Sequence, residues 1–436
     1  MQILFLSHYF PPEVNAPANR TYEHCKRWAQ DGHDVTVVTC APNCPDGIAY
    51  KGYRNRFWPQ VEVIDGMRVV RVWSYLAPNA GTVRRVTNFL SYMVSATLVC
   101  SLETRPDVVL ATSPQFFCGW AGVFISWLKW RPLVLEIRDI WPESITAVGA
   151  IQNRSIVCFL EWLERVMYRS ARHIVTVGHG YRDNILSKVD VADRISVIYN
   201  GVDLHRFQPD EPHPGLLHAW NLDDKFVCSY VGTIGMAHGL EVVLDAARLL
   251  RDQGRRDVAF WLVGDGAQRR QLQERCDREG LSDCVVFSGR QPKDEIPAIL
   301  ASSDACLVHL KGCELFGTVI PSKIFETMAL GRPIIMGVNG EARQIVMEAN
   351  AGIGMVPDSS ESLVEAVTTL ADNRDLAIRL GQLAREFVTE YFNRDKLAHQ
   401  YLDLLHVVAG IEARQEMPSL TVDAEQDSLS TESVTE

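Results

Sequence analysis

The residues with the clearest capacity for chemistry lie between positions 317 and 333. Pro321 can open a short helix, which Gly331 ends just before a strand. Lys323 and Glu326 are three residues apart, so they project from the same side of its first turn. An ammonium group beside free helix amides suits a phosphate, and a carboxylate one turn later suits sugar hydroxyls. The alternative is a surface Lys–Glu pair that stabilises the helix by roughly 0.2–0.5 kcal/mol.

A second loop with glycines, Val-Gly-Asp-Gly at 263–266, follows an apolar run and precedes a helical pattern. The full G-x-G-x-x-G of dinucleotide-binding enzymes is absent, so hydride transfer is only weakly supported. The chain has no Asp-x-Asp and no C-x-x-C, and its 11 cysteines are scattered. We therefore expect a reduced chain that needs no essential divalent metal and no cofactor.

The elements that must position these residues are those of an α/β protein. Short apolar runs rich in β-branched residues alternate with helix-period segments, which predicts parallel sheets covered by helices on both faces. The first series of predicted strands is 2–7, 35–39, 108–112, 132–136, 173–177 and 195–199. The second series is 226–232, 258–264, 285–288, 305–310 and 333–337.

The pattern breaks at residues 200–203, Asn-Gly-Val-Asp, which a Pro/His/Glu-rich stretch follows. We predict two doubly wound, Rossmann-like domains, residues 1–203 and 204–390, that face a central cleft. Ligands of such sheets bind at the carboxyl ends of the strands. Residues 391–410 form a helix that can return to the first domain, and the acidic segment 411–436 is a disordered tail.

The composition is that of a globular protein with more than one domain, since 47% of 436 residues are hydrophobic and 22% are charged. A net charge of −11 argues against a nucleic-acid partner, although residues 1–170 carry a net charge of +3. The apolar start has no basic segment and no cleavage site. We therefore expect a strand there rather than a signal peptide, and a cytoplasmic protein.

Two uncharged stretches, 87–102 and 108–128, fall short of the roughly 20 unbroken apolar residues that a membrane span needs. They are either buried helices of the first domain or part of a surface that lies at the membrane interface. The second interpretation depends on three tryptophans and four nearby cations: Trp120, Trp127, Trp130, Lys129, Arg131, Arg84 and Arg85. Such an aromatic and cationic edge is typical of peripheral membrane proteins.

Taken together, the motifs resemble glycosyltransferase family 4, retaining enzymes of the GT-B fold, over nearly all of residues 1–407. The resemblance is carried by Phe-Glu-Thr-Met-Ala-Leu-Gly-Arg-Pro at 325–333, Gly-Val-Asp at 201–203 and the loop at 263–266. Within the family, the chain is most similar to the WbuB/WcaI-like transferases of exopolysaccharide and O-antigen assembly. It shares with them Phe-Pro-Pro-Glu at 10–13, Arg-Asp-Ile-Trp-Pro-Glu-Ser at 138–144 and Pro-Ser-Lys at 321–323.

This resemblance implies that residues 204–390 bind a nucleoside-diphosphate sugar and that Glu326 holds its ribose. The family usually has a second glutamate eight positions earlier, near the donor sugar, and here that position is Thr318. Glu314, four residues upstream of it, is the candidate that takes over the sugar contact. Ser322, within the shared Pro-Ser-Lys segment, is a further donor-side candidate.

A second departure concerns the Arg and Lys that the family often places against the diphosphate, which here are Thr233 and His238. His238 is either a donor to phosphate or a helix cap. With both cations missing, we expect Lys323 and the amide of Gly235 to neutralise the diphosphate. Three further donor-side candidates are Gly264, Arg290 and Glu341, of which Arg290 lies either in a base-binding loop or in an ordinary βα turn.

On the first domain, the loop from His8 to Arg20 contains Asn15 and Ala16, where relatives commonly have paired glycines. The resemblance implies that this loop approaches the donor or the acceptor. Arg138 and Asp139 end a predicted strand at the cleft, and Asp139 can orient or deprotonate the acceptor hydroxyl. Arg138 is either a catalytic group or the salt-bridge partner of Asp139.

The sequence therefore predicts a retaining transfer of a hexose or N-acetylhexosamine from a UDP-linked donor to a lipid-linked saccharide at the cytosolic membrane face. Two other functions remain open. A UDP-sugar 2-epimerase-like isomerase uses the same two-domain architecture and would form product from the donor alone. A non-catalytic nucleotide-sugar-binding component of a polysaccharide assembly complex would bind the donor without transfer.

Overall fold

A computed structural model describes residues 1–78, 82–113, 116–143 and 153–411, except for the side chains of residues 82, 314 and 315. The N-terminal sheet has the order β3-β4-β2-β1-β5-β6-β7-β8. Its strands are β1 Gln2–Leu6, β2 Asp34–Cys40, β3 Gln60–Ile64, β4 Met67–Val72, β5 Val108–Thr112, β6 Leu133–Ile137, β7 His173–Thr176 and β8 Ile195–Val197. All are parallel to their neighbours except β3, which pairs antiparallel with β4.

The C-terminal sheet is parallel throughout, in the order β11-β10-β9-β12-β13-β14. Its strands are β9 Phe226–Val231, β10 Val258–Val263, β11 Val285–Gly289, β12 Ala305–His309, β13 Ile334–Gly337 and β14 Gly352–Gly354. In both sheets the strand order reverses beside the first strand, β1 or β9. Open α/β sheets bind ligands at this point, outside the carboxyl ends of the strands.

Helices cover both faces of each sheet. Those of the N-terminal part are α1 Ala16–Gln30, α2 Thr82–Leu102, α3 Phe116–Lys129, α4 Arg154–Ser170 and α5 His179–Lys188. Those of the C-terminal part are α6 Pro214–Ala219, α7 Glu241–Asp252, α8 Arg269–Arg278, α9 Ile296–Ala301, α10 Lys323–Ala329, α11 Glu341–Glu348, α12 Ser360–Asp372, α13 Arg374–Tyr391 and α14 Arg394–Ala409. No helix of the described ranges is long and apolar enough to cross a membrane.

Most of the strands are buried on both faces, so successive apolar residues of one strand pack into different hydrophobic clusters. In β1, Leu4 and Leu6 pack under α2 and α3, whereas Ile3 and Phe5 pack under α1 and α14. The last helix, α14, thus completes the core of the N-terminal domain. It is fixed there by Trp28, whose Nε1 donates to the Ala398 carbonyl at 3.0 Å.

The sequence analysis missed strands β3, β4 and β14. β3 and β4 form a hairpin whose turn, Asp65 and Gly66, has φ angles of 47° and 82°. Asp-Gly between two β-branched runs is a strong hairpin signal that was available in the sequence. β14 has three residues with glycine at both ends, so its composition gives no strand signal. Of the predicted tail at 411–436, all but Ile411 lies outside the described residues.

Candidate active site

Lys323 begins the short helix α10 and extends its ammonium group into a buried position beside β9. Its Nζ lies 3.8 Å from the ring centroid of Tyr230. A Cβ at Gly232 would lie 2.7 Å from the same Nζ, so only glycine leaves room for the lysine there. Nζ is buried and, among the described residues, has no hydrogen-bond partner. Burial lowers the pKa of Lys323 to about 7, with Glu326 acting in the opposite direction.

His238 lies in the same pocket, at the end of the 3₁₀ turn that follows β9. Its Nδ1 is buried and has no hydrogen-bond partner within the described part of the chain. Its ring centroid is 6.0 Å from that of Tyr230. Burial and then the charge of Lys323 lower the pKa of His238 to about 4, so the imidazole is neutral at physiological pH. The pocket thus combines a neutral imidazole with an ammonium that has no hydrogen-bond partner among the described residues.

Glu326 follows one turn later, at a half-buried position. Burial raises the pKa of its carboxyl, while the charges of Arg394, Lys323, Arg206 and Lys293 lower it. The described residues donate no hydrogen bond to this carboxylate. An unpaired acceptor with four cations around it is suited to bind hydroxyl donors.

The helix that carries Lys323 and Glu326 is too short for its free amides to supply much of the positive charge that the sequence analysis expected of them. α10 has seven residues, begins at Lys323 rather than at Pro321, and has no side-chain cap at Ser322, which is exposed. Two turns of helix generate only a weak dipole. The positive charge of the site therefore comes from the Lys323 ammonium much more than from helix amides.

Gly264 packs the strand ends together instead of presenting its amide to a ligand. Its φ is +144°, and a Cβ would lie 1.8 Å from the Gly232 carbonyl oxygen. Its N–H donates to the Gly289 carbonyl at 2.8 Å. Gly235 begins the 3₁₀ turn of His238, and a Cβ there would lie 3.5 Å from the imidazole Nδ1.

Arg290 follows Gly289 at the carboxyl end of β11 and is exposed. It faces the N-terminal domain, because it lies close enough to Tyr50 for its charge to act on that side chain. Burial raises the pKa of Tyr50, and the charge of Arg290 acts in the opposite direction. Thr318 faces the cleft as well, since a Cβ at Gly180 would lie 3.5 Å from the Thr318 Cβ. The side chain of Glu314 lies outside the described residues.

Glu341 holds the two domains together. Its carboxylate accepts the N–H groups of His179 and Gly180, at 2.9 and 3.1 Å, and the Tyr199 hydroxyl at 2.7 Å. It thus caps the first turn of α5 from the opposite domain. A Cβ at Gly178 would lie 2.8 Å from Glu341 Oε2, so glycine is needed for the approach. This interdomain contact occupies the carboxylate that the sequence analysis assigned to the donor.

Arg138 and Asp139 end β6 at the opposite side of the cleft. The Arg138 Nη2 donates to the Ala16 carbonyl at 3.2 Å, and its buried Nε and Nη1 have no partner among the described residues. Burial lowers the pKa of Arg138 to about 10, and Glu136 acts in the opposite direction. Asp139 is half-buried, and its charge adds to burial in raising the pKa of Tyr181 to about 12.

Two candidates of the acceptor-side loop have structural roles, which corrects the expectation from sequence. Arg20 is buried and donates to Glu136 at 3.0 Å and to the carbonyls of Tyr199 and Ile198. These bonds tie α1 to β6 and to the segment that follows β8. Asn15 caps α1 by accepting the Ala18 N–H at 2.9 Å. Ala16 is exposed at the first turn.

Sequence reasoning missed Tyr230, Glu136 and Tyr199. Tyr230 forms the aromatic wall beside Lys323 but lies inside an apolar strand, where a tyrosine is ordinary core composition. Glu136 stands out only as a lone carboxylate within the buried strand β6. That signal was available, because buried charges are rare unless paired.

The geometry therefore offers an anion site on the C-terminal side. On the N-terminal side it offers the Asp139 carboxylate and the Arg138 guanidinium, whose Nε and Nη1 have no partner among the described residues. A diphosphate at Lys323 and His238 would complete hydrogen bonds that the protein leaves open. Perturbed titratable groups in a cleft between two sheets are typical of active sites.

Two family models match successive parts of the chain. "Glycosyl transferase 4-like domain" matches residues 15–201, and "Glycosyl transferases group 1" matches residues 218–387. WcaI of Escherichia coli K12, named as a candidate colanic acid biosynthesis glycosyl transferase, is 25% identical over 415 residues. That alignment covers 92% of this chain and 99% of WcaI.

Solved structures share the fold over its full extent. HepE from Anabaena, crystallised in complex with UDP, superposes with a TM-score of 0.68 at 17% identity, covering 93% of this chain and 100% of HepE. WaaG, a glycosyltransferase involved in lipopolysaccharide biosynthesis, superposes with a TM-score of 0.65 at 15% identity, covering 92% and 99%. These likenesses show the GT-B fold.

Proposed function

Because the chain is a glycosyltransferase of the GT-B, family 4 type, we propose that it transfers a hexose or N-acetylhexosamine from a UDP-sugar to a lipid-linked saccharide, with retention of configuration. The observation that carries the proposal is the buried, unpaired Lys323 ammonium at the carboxyl end of β9. The reaction belongs to bacterial surface polysaccharide synthesis, since WcaI is named for colanic acid biosynthesis.

The step that needs help is departure of the diphosphate. The bond from the sugar C1 to the β-phosphate oxygen breaks, negative charge builds on the diphosphate, and C1 bonds to the acceptor oxygen. Lys323 neutralises this charge in a site from which water is excluded. Loss of one such pre-positioned donor typically costs roughly 3–4 kcal/mol of transition-state stabilisation.

The neutral His238 donates a hydrogen bond to the same diphosphate in the tautomer that protonates Nδ1. Glu326 accepts hydrogen bonds from the ribose hydroxyls. Thr318 lies eight residues before Glu326 and next to Gly180 of the N-terminal domain, and we propose that it contacts the donor sugar. UDP is the nucleotide we propose, because the similarly folded HepE was crystallised with UDP.

On the acceptor side, Asp139 orients the incoming hydroxyl and takes up its proton as the new glycosidic bond forms. Arg138, whose buried Nε and Nη1 have no partner among the described residues, holds an oxygen of the acceptor or of the departing phosphate in this proposal. We propose that no divalent metal takes part. Transfer is then expected to persist in the presence of EDTA.

We further propose that the protein works at the cytosolic face of the membrane. Trp120 is buried in the core, whereas Trp127 and Trp130 are exposed. They belong to a face of α2, α3 and α4 with other exposed apolar side chains: Val83, Leu90, Val94, Leu98, Leu102, Leu128, Phe159 and Trp162. We call this the α2–α4 face. Exposed aromatic and aliphatic groups next to cations favour insertion at a lipid interface.

Flotation with anionic phosphatidylglycerol vesicles tests the membrane part. The wild type is expected to float, and the double variant Trp127→Ser/Trp130→Ser to stay largely in the soluble fraction. Ile378→Ser, which removes an exposed apolar side chain from the C-terminal domain, is the matched control and should float. Recovery of the wild type in the soluble fraction would contradict membrane association.

The transfer itself is tested by incubating bacterial lipid extract with a panel of UDP-sugars and measuring mass shifts of the lipids. One hexose or N-acetylhexosamine added to a glycolipid, together with release of UDP, is the expected result. Isomerised sugar formed without any lipid would favour an epimerase. UDP-sugar binding without either product would favour a non-catalytic binding protein.

A further inference from the structure

A second buried histidine, His309, lies at the end of β12 and beside the turn that carries His238. Its side chain is 1% exposed. A Cβ at Gly337, the end of β13, would clash with the Cδ2 of His309, and a Cβ at Gly239 would lie 3.2 Å from its Cε1. The imidazole therefore packs between the end of β13 and the residue after His238, and glycine at both positions leaves it room.

Both ring nitrogens of His309 form hydrogen bonds with backbone groups. Nδ1 lies 2.7 Å from the carbonyl oxygen of His238, and Nε2 lies 3.0 Å from the backbone nitrogen of Asp358. A carbonyl only accepts and a backbone N–H only donates, so the proton of the neutral ring is on Nδ1. The tautomer of His309 is thus set by its two partners.

The neutral form of His309 is also the one that its surroundings favour. Burial lowers the pKa of His309, while its bond to the His238 backbone and the charges of Asp358 and Glu241 act in the opposite direction. A proton on Nε2 would face the Asp358 N–H and break that bond. His309 therefore joins its two partners as a neutral imidazole.

Two hydrogen bonds of the described chain connect the 3₁₀ turn Met236–His238 to the end of β12. His309 donates to the His238 carbonyl, and the backbone N–H of Lys311 donates to the Ala237 carbonyl at 2.9 Å. The first bond comes from a side chain, so a substitution can remove it. The second bond joins two backbone groups and remains when His309 is changed.

The other partner of His309 extends this connection toward Thr318. The Asp358 carboxylate accepts the Gly312 N–H at 2.7 Å, and Gly312 lies at the start of the segment that leads to Thr318. His309 and Asp358 therefore link the turn of His238 to the segment that we propose to contact the donor sugar.

His238 is the residue through which this connection reaches the ligand site. Its Nδ1 is buried and has no hydrogen-bond partner within the described ranges. Its ring lies against Tyr230, the same side chain that Lys323 contacts. A bond that fixes the His238 carbonyl restricts the backbone of this residue and so restricts where its imidazole lies. A donor that is already in place binds a ligand without the entropic cost of ordering it.

We propose that His309 is a positioning residue for the diphosphate site: its bond to the His238 carbonyl holds the His238 imidazole where the diphosphate of the donor binds. The inference rests on the proposed function. It adds to that function a residue that acts through His238 rather than on the substrate.

The test compares two amides, each of which replaces one side of the imidazole. In His309→Asn the amide takes the place of Nδ1 and can still donate to the His238 carbonyl. In His309→Gln the amide takes the place of Nε2, so the bond to Asp358 is kept and the bond to His238 is lost. His218→Gln, at an exposed position of α6, is the control for the change from histidine to glutamine.

Two ligands separate positioning from general damage to the fold. Calorimetric titration gives the Kd for UDP, and competition with UDP gives the Kd for uridine, which lacks the diphosphate. His309→Gln should raise the Kd for UDP roughly tenfold, whereas His309→Asn and His218→Gln should leave it within about threefold. The Kd for uridine should stay within about twofold of the wild-type value in all three variants, because the lost bond acts at the diphosphate.

A double variant tests whether His309 acts through His238. When His238 is already changed to alanine, His309→Gln should alter the Kd for UDP by less than about threefold, since the imidazole that it positions is gone. The same tenfold effect with and without the His238 side chain would overturn the proposal.

Three other results would overturn it as well. They are an unchanged Kd for UDP in His309→Gln, equal weakening of UDP by His309→Asn and His309→Gln, and equal weakening of UDP and uridine by His309→Gln. In each case a wild type that binds UDP leaves the proposed function intact. A wild type that does not bind UDP would overturn the proposed function itself, together with this inference.

Discussion

Arg20 and Lys323 are both buried cations beside the cleft, one in each domain, and they differ in what surrounds them. The Arg20 guanidinium donates to Glu136 and to the carbonyls of Tyr199 and Ile198. The Lys323 ammonium has no acceptor among the described residues. A charge whose hydrogen bonds are complete stabilises the fold, whereas one that lacks them is poised for a ligand.

The pKa shifts follow this difference. Burial alone would raise the pKa of Glu136, but Arg20 and Arg138 hold it below the ordinary value, so this carboxylate stays charged with its partner. Burial lowers the pKa of Lys323 to about 7, because no carboxylate is close enough to compensate fully. Lys323 therefore exchanges its proton near neutral pH.

The largest expected effect is on stability, from Arg20→Met. Removing one partner of a buried ion pair leaves Glu136 uncompensated, so the free energy of unfolding should fall by roughly 3–5 kcal/mol. Urea denaturation followed by circular dichroism measures it. A loss below about 1 kcal/mol would mean that the Arg20 network does not hold the domain together.

Lys323→Met should impair catalysis and leave the stability of the fold nearly unchanged. Stability should change by less than about 1 kcal/mol or rise, because an unpaired buried charge is removed. The kcat/KM for transfer should fall by a factor of roughly 100–1,000, with a matching loss in kcat. The two methionine variants serve as each other's controls. Normal turnover by Lys323→Met would contradict the proposal that Lys323 binds the diphosphate.

Glu326→Ala should act on nucleotide affinity more than on turnover. Loss of a charged acceptor for ribose hydroxyls costs roughly 1.5–3 kcal/mol, so the Kd for UDP should rise roughly 10- to 100-fold while kcat at saturating donor falls much less. Calorimetry and initial rates separate the two quantities. An unchanged Kd for UDP would mean that Glu326 does not bind the ribose.

Glu341→Ala tests the contact between the domains and should have the smallest effect of the substitutions. The carboxylate caps α5 from the other domain, and loss of a helix cap costs about 0.5–2 kcal/mol of stability. Glu348→Ala, at the exposed end of the same helix, is the control and should change little. Equal effects of the two variants would contradict a specific cap.

Much of the fold could be predicted from the sequence, because parallel strands buried on both faces appear as continuous apolar runs. The strand at 108–112 has the predicted bounds, and the α/β class with two doubly wound sheets is confirmed. The β3–β4 hairpin was missed because β3 alternates half-buried and exposed positions and is polar in part. Its Asp65-Gly66 turn was the stronger signal.

The site was less predictable, because partners far apart in sequence decide what a polar residue does. In the sequence, Arg20 is only a basic residue near a loop, because Glu136, its ion-pair partner, lies 116 positions away. In the sequence, Glu341 is only the first residue of a helix, whereas in the structure its carboxylate accepts backbone N–H groups of the other domain. Lys323 could be singled out from the sequence because its position in a short helix before a strand is a local feature, and its contact with the diphosphate stays a prediction.

The central claim, that Lys323 binds the diphosphate as an ammonium, is tested most directly by the pH dependence of UDP affinity. Above about pH 7 the free lysine is neutral, so binding must take up a proton, and the Kd should rise by up to roughly tenfold per pH unit. Between about pH 7.5 and 9 the terminal phosphate of UDP is already ionised, since its second pKa is near ~6.

Three other groups that face Lys323, His238, Tyr230 and Cys306, do not titrate in this range. Burial moves the pKa of His238 to about 4 and raises the pKa values of Tyr230 and Cys306. Calorimetric titration should therefore show a steep rise of Kd with pH for the wild type and a flat, uniformly weaker profile for Lys323→Met. A flat wild-type profile, or the same rise in the variant, would contradict the claim.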